Sequence, residues 1–140
     1  MMRTDGLNRL DQHLWLLLRL TLAGLLAAHG WARLLGGGVV PFGEWLQTQG
    51  LPAGFYLAAA VTAYEIIATV LYALGKWVWP LTLGFVGIYS TGLLMVHAPF
   101  GWFVVGAGRN GMEYSVLLIV TLCCVGYRAY VAGKQRDGQF

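Results

Sequence analysis

Charge is scarce in this chain. Nine Lys and Arg and six Asp and Glu among 140 residues make 11% charged, against roughly 25% in an ordinary soluble domain. The net charge of +3 is dispersed, with no basic run and no alternation of basic and aromatic residues, which excludes a nucleic-acid partner. Cysteine is nearly missing as well. Cys123 and Cys124 are adjacent, a poor geometry for a disulfide, and no further ligands stand near enough to make a metal set. Set in an apolar run, they read as buried small apolar side chains. No haem, flavin or iron–sulfur motif is visible, so none of these cofactors and no metal is expected.

Apolar residues take the place of charge, at 58% of the chain. So short a chain cannot bury that much apolar surface in one aqueous core, so lipid must cover part of it. The runs fall into four segments of spanning length, at about 13–35, 53–74, 77–97 and 112–131. The expected fold is therefore all-α, a single integral membrane domain built as a bundle of four transmembrane helices. The first run is longer than the ~7–15 residues of a signal-peptide core. Arg19 also interrupts it and no small-residue cleavage site follows, so it reads as a retained helix. Gly36, Gly37 and Gly38 end it. The connection 39–52 sets Phe42, Trp45, Leu46 and Leu51 against Glu44, Gln47, Thr48 and Gln49, which suits either a short interfacial helix or an ordered loop with a tryptophan anchor. Gly84, Gly87, Ser90, Thr91 and Gly92 give the third span a face of small residues for close packing. Residues 98–111 form a glycine-rich loop carrying Phe100, Trp102 and Phe103; with no strand before it, its glycine spacing is no nucleotide motif.

Four spans put both termini on one side. That side holds Arg3, Arg9, Lys76, Arg128, Lys134 and Arg136, and the other holds Arg33 and Arg109. The excess predicts cytoplasmic termini, with the two long loops facing the periplasm or cell exterior.

Topology converts sequence position into depth. Arg19 lies ~9 Å from the cytoplasmic start of the first span and Glu65 ~13 Å from the cytoplasmic end of the second, at 1.5 Å per residue. Isolated charges are costly at such depths, so Arg19 and Glu65 are expected to form a buried ion pair. The other polar groups gather toward the opposite face. His29 lies ~9 Å below it by the same rise, His97 ends the third span, Glu113 opens the fourth, and Arg33 and Arg109 flank them. Trp31, Trp102, Phe103 and Tyr114 supply aromatic walls. An apolar pocket with a few convergent polar groups is the usual small-molecule site. Its depth suits a lipid-soluble ligand with polar ends, such as a quinone, whose carbonyls need donors and whose reduction needs protons. His29, His97 and Glu113 are the candidates for that proton chemistry, with Arg33, Arg109 and the aromatics binding the ring. A bis-histidine haem fits poorly, because His29 and His97 differ in height by most of a turn or more. A metal held by His29, His97 and Glu113 has no spacing that specifies it.

Four stretches in order, RLTLAGLLAAHGWARLLGG, YEIIATVLYALG, HAPFGWF and GRNGMEYSVLLI, resemble the DoxX-like family of small four-helix membrane proteins over about residues 13–125. Arg19, His29, Gly30, Glu65, His97, Pro99, Gly101, Phe103, Glu113 and Tyr114 fall on the family pattern. GRNGMEYS stands where the family often reads closer to GGYEYP, so Arg109 and Asn110 are particular to this chain. The resemblance implies a multi-pass protein of the bacterial inner membrane associated with redox complexes, among them a thiosulfate–quinone oxidoreductase and partners in oxidative-stress or thiol chemistry.

Two functions follow. One is a quinone-binding membrane subunit of an oxidoreductase, which takes electrons from a soluble or membrane redox partner. The other is a scaffold or assembly factor without chemistry, in which the polar cluster only fastens helix ends. A transporter would need a homo-oligomer, since four short helices leave little room for a pathway.

Overall fold

The computed structural model describes residues 2–137, with side chains described over 9–135. Among the described residues every regular element is helical. In chain order they are α1 (Met2–Leu35), α2 (Val39–Thr48), α3 (Gly54–Ala73), α4 (Val78–Gly92) and α5 (Glu113–Asp137), with a π-helical turn at Leu93–His97 and a 3-10 turn at Ala98–Phe100. Four stretches are long and apolar enough to cross a membrane: Arg9–Leu35, Gly54–Ala73, Val78–Phe100 and Glu113–Gln135. The expected all-α architecture of four membrane spans is therefore the observed one. The chain divides into two compact units, Met1–Lys76 and Trp77–Phe140.

Boundaries differ from the expectation mainly at α1. The polar stretch before residue 13 continues the helix instead of forming a tail. Contacts one turn apart support it there: His13 donates through Nδ1 to the Arg9 carbonyl at 2.7 Å, and Trp15 Nε1 donates to Asp11 at 3.0 Å. Arg3 and Arg136, counted above toward the positive side, lie outside the described side chains.

In the first unit, glycine sets both the helix ends and the distances between helices. α1, α2 and α3 all stop the same way. Gly37, Gly50 and Gly75 take φ of 68°, 82° and 74°. The next amide in each case reaches back to a carbonyl of the last turn: Gly38 to Arg33 at 2.8 Å, Leu51 to Leu46 at 3.1 Å, and Lys76 to Leu71 at 2.9 Å. This satisfies carbonyls that a helix end leaves open, and glycine enters the left-handed region without steric cost. Of the two alternatives for connection 39–52 the chain forms the short helix, α2, whose Phe42 and Trp45 rings stack 6.1 Å apart. Gly43 and Gly54 allow α2 to lie on the first turn of α3. A Cβ on Gly54 would collide with the Gly43 carbonyl, and one on Gly43 would lie 2.7 Å from the Phe55 Cα. α1 runs against α3 at Gly30, where a Cβ would meet the Glu65 Cβ at 2.9 Å and the Ile66 Cγ1 at 3.0 Å.

The second unit is the hairpin of α4 and α5. Gly126 lets them touch, since a Cβ there would lie 2.7 Å from the Thr82 side chain. Leu118, Leu122, Val125 and Gly126 are buried, at the spacing of one helical face. Cys123 and Cys124 are not buried, contrary to expectation; they lie off that face and are exposed. Nearer the chain terminus the Trp79 and Tyr130 rings close the hairpin at 5.1 Å.

Candidate functional site

Among the described residues of the first unit Glu65, on α3, is the most enclosed charged one, 2% exposed. Its cation is Arg33, whose Nη1 donates to Glu65 Oε2 at 2.7 Å and to the Thr62 hydroxyl at 3.1 Å. Thr62 in turn donates to the Ala58 carbonyl at 2.7 Å, which leaves its oxygen free to accept from Arg33. The guanidinium lies over the Phe42 ring, 4.6 Å from its centroid. One side chain of α1 thus ties together α2 and α3.

The expected pairing of Arg19 with Glu65 is therefore incorrect. Arg19 donates to the Ala73 carbonyl at 3.3 Å, at the far end of α3, and forms no ion pair with Glu65. The reason is register. Gly30, not Arg19, lies against Glu65. These two α1 positions are eleven residues apart, about 16 Å along a helix. Arg33, assigned above to ligand binding, has its Nη1 committed to holding the helices. His29 and Trp31 lie on the exposed surface of α1.

The second unit brings His97 and Glu113 into one folded loop. α4 gives way to a π turn, in which the Ala98 amide reaches back to the Leu93 carbonyl. π turns recur at functional sites. A 3-10 turn containing Pro99 follows. The loop then closes on itself. Met112, Glu113 and Gly111 donate their amides to the carbonyls of Gly101, Trp102 and Phe103, at 3.0, 3.0 and 3.2 Å. Gly111 permits this, since a Cβ there would fall within 2.5 Å of the Phe103 carbonyl oxygen. Asn110 turns the chain at φ 62°, a conformation asparagine tolerates better than most residues.

Two side chains complete the closure. Glu113 Oε1 accepts the Val104 amide at 2.8 Å. His97 Nδ1 lies 2.9 Å from the Asn110 carbonyl. A carbonyl oxygen only accepts, so Nδ1 carries the hydrogen and Nε2 is the ring's remaining pole. His97 and Glu113 are each partly buried, whereas Trp102, Phe103, Arg109 and Tyr114 are exposed. The aromatic side chains expected as walls thus present their faces outward from this unit. Among the described residues no three His, Cys, Asp or Glu side chains gather as a metal site.

Sequence reasoning missed four groups: Phe42 and Thr62 around Arg33, and the backbone of Asn110 and Val104 around His97 and Glu113. Only the Asn110–Gly111 dipeptide, a turn signal, hinted at any of them.

No curated protein and no solved structure matches the chain. The DoxX family model matches residues 14–98, from the first span through the π turn after α4. That range includes Arg19, His29, Arg33, Glu65 and His97 and stops short of Glu113. With more than half its length matched and four spans of membrane-crossing length, the chain belongs to the DoxX family of small integral membrane proteins.

Proposed function

We propose that this multi-pass membrane protein is a subunit of a redox complex and binds a quinone at the loop between α4 and α5. The observation that carries this reading is the His97 imidazole, fixed through Nδ1 on the Asn110 carbonyl with Nε2 left for a ligand. A neutral ring so held accepts the hydroxyl proton of a quinol at Nε2 as the electrons depart. The protonated ring donates from Nε2 to a quinone carbonyl in the reverse direction. Glu113, in the same loop, is the second group able to take up a proton. The exposed rings of Trp102, Phe103 and Tyr114 supply flat apolar surface for a lipid-soluble ring. The chain carries no motif for an electron-transfer group of its own, so the electrons belong to a partner protein.

A specific observation also favours the second reading, a scaffold or assembly factor. Both His97 and Glu113 bond to loop backbone, which is how a rigid recognition loop is built. The substitution His97→Asn separates the two. Asparagine keeps an N–H where Nδ1 stood and removes Nε2. Quinone extracted from the purified protein is expected to fall at least about tenfold, the loss of roughly 1.4 kcal/mol of binding, with thermal stability unchanged. Wild-type protein devoid of quinone, or equal quinone in both forms, refutes the quinone reading and leaves the scaffold.

A further inference from the structure

Among the described residues Arg19, a charge inside an apolar run, has no counter-ion. It lies within the Arg9–Leu35 span, yet its one hydrogen bond goes to a neutral acceptor, the Ala73 carbonyl, at 3.3 Å. Its Nε is buried with no acceptor. A guanidinium carries five N–H donors and cannot shed its charge. In a membrane segment such a group needs an anion or a route to water.

The surroundings indicate which anion. Gly75 makes room for the guanidinium: a Cβ there would lie 2.9 Å from Arg19 Nη1 and 3.2 Å from Cζ. The carbonyls of Leu71 and Tyr72 in the last turn of α3 are already taken, by the amides of Lys76 and Gly75. The end of α3 therefore offers Arg19 little beyond Ala73. Lys76 follows directly and is exposed, so a second cation stands at the same turn. This turn joins two membrane spans, which sets it at the depth of lipid headgroups. Leu16 and Leu20 beside Arg19 on α1, and Leu74 on the turn, are exposed apolar side chains. Cations at headgroup depth flanked by exposed leucines match a phosphate joined to acyl chains better than a free ion.

We propose that Arg19, with Lys76 beside it, holds the phosphate of a phospholipid headgroup at the turn after α3. The planar fork of the guanidinium takes two phosphate oxygens, and Lys76 adds a point charge. The exposed leucines receive the chains. The site lies in the first unit and does not depend on the loop that carries His97.

The test is native mass spectrometry of the full-length protein in detergent, titrated with dioleoylphosphatidylglycerol. Wild type is expected to retain the lipid about tenfold more tightly than Arg19→Gln, the scale of one lost charge-assisted hydrogen bond. Dioleoylglycerol, which has the same tails and no phosphate, is expected not to be retained. Arg19→Lys keeps the charge and loses the fork; a drop of several-fold is expected, and it carries the test if Arg19→Gln fails to accumulate. Equal retention by wild type and both variants, or equal retention of dioleoylglycerol, overturns the proposal. Displacement by millimolar inorganic phosphate overturns the lipid assignment in favour of a free-anion site.

Discussion

Removing Arg33 should harm this protein more than removing Glu65, and removing both should harm it less than removing Arg33 alone. The carboxylate is 2% exposed and the guanidinium side chain 19%. Without Arg33, Glu65 is a carboxylate stripped of its cation in low dielectric. Breaking a buried pair in this way costs about 3–5 kcal/mol. Without Glu65, Arg33 still lies over Phe42 and donates to Thr62, and its partial exposure gives the charged end a path to water. The remaining cation–π contact contributes roughly 0.5–2 kcal/mol. Arg33→Met should therefore lie at the top of that range and Glu65→Met well below it. In the double variant two apolar side chains of similar length face each other, and replacing a buried pair in this manner is often close to neutral.

The assay is reversible unfolding in mixed micelles, with the four proteins of the cycle compared at one detergent composition. A coupling energy above about 1 kcal/mol is expected for Arg33 with Glu65, as for contacting residues. The same cycle for Arg19 with Glu65 should give less than ~0.5 kcal/mol, as for independent sites. Additive effects at Arg33 and Glu65, or strong coupling through Arg19 instead, would refute this register of α1 on α3.

Gly30→Ala places a Cβ 2.9 Å from the Glu65 Cβ. The neighbouring atom is next to the backbone and cannot swing aside, so the helices must part. A loss of ~1–3 kcal/mol from overpacking, less the ~1 kcal/mol that alanine gains over glycine within a helix, leaves a net loss of up to ~2 kcal/mol in the same unfolding assay; a stabilised variant would contradict the close approach. Glu113→Ala deprives the Val104 amide of its acceptor and opens the loop at 2.8 Å contact. Limited proteolysis should then cut within residues 104–110 several times faster than in wild type, while Glu113→Gln, which keeps an acceptor oxygen, should stay close to wild type.

The fold was legible because its determinants are local. Apolar run length gives the spans, and Gly37, Gly50 and Gly75 end three helices where glycine and the following residue would be expected to end them. The amphipathic pattern of 39–48 was enough to suggest α2 but not to decide it. What decides it is Gly43 against Gly54, a contact between residues eleven apart whose necessity is invisible until α3 is in place. The loop was legible only in part. His97, Glu113 and the aromatics stand out as residue types, but their partners are main-chain groups of Asn110 and Val104, and every residue owns such groups.

Arg19 and Glu65 do not pair, because depth along an apolar run does not fix the register between two helices. Measuring depth from the end of each apolar run assumes that both runs begin at the same membrane plane. In α1 the helix starts far ahead of its first apolar turn, so the end of the apolar run marks no structural boundary from which to measure. Only a contact can fix the offset between two helices. On α1 the residue that forces one is Gly30, since a helix approaches most closely where a side chain is missing. Seating Gly30 against Glu65 and Ile66 fixes the antiparallel register without any reference to depth. Arg33 is then one turn further along α1, and Thr62 one turn back along α3. Both fall at the carboxylate. By the same register Arg19 is carried to the end of α3, away from Glu65, where it donates to the Ala73 carbonyl.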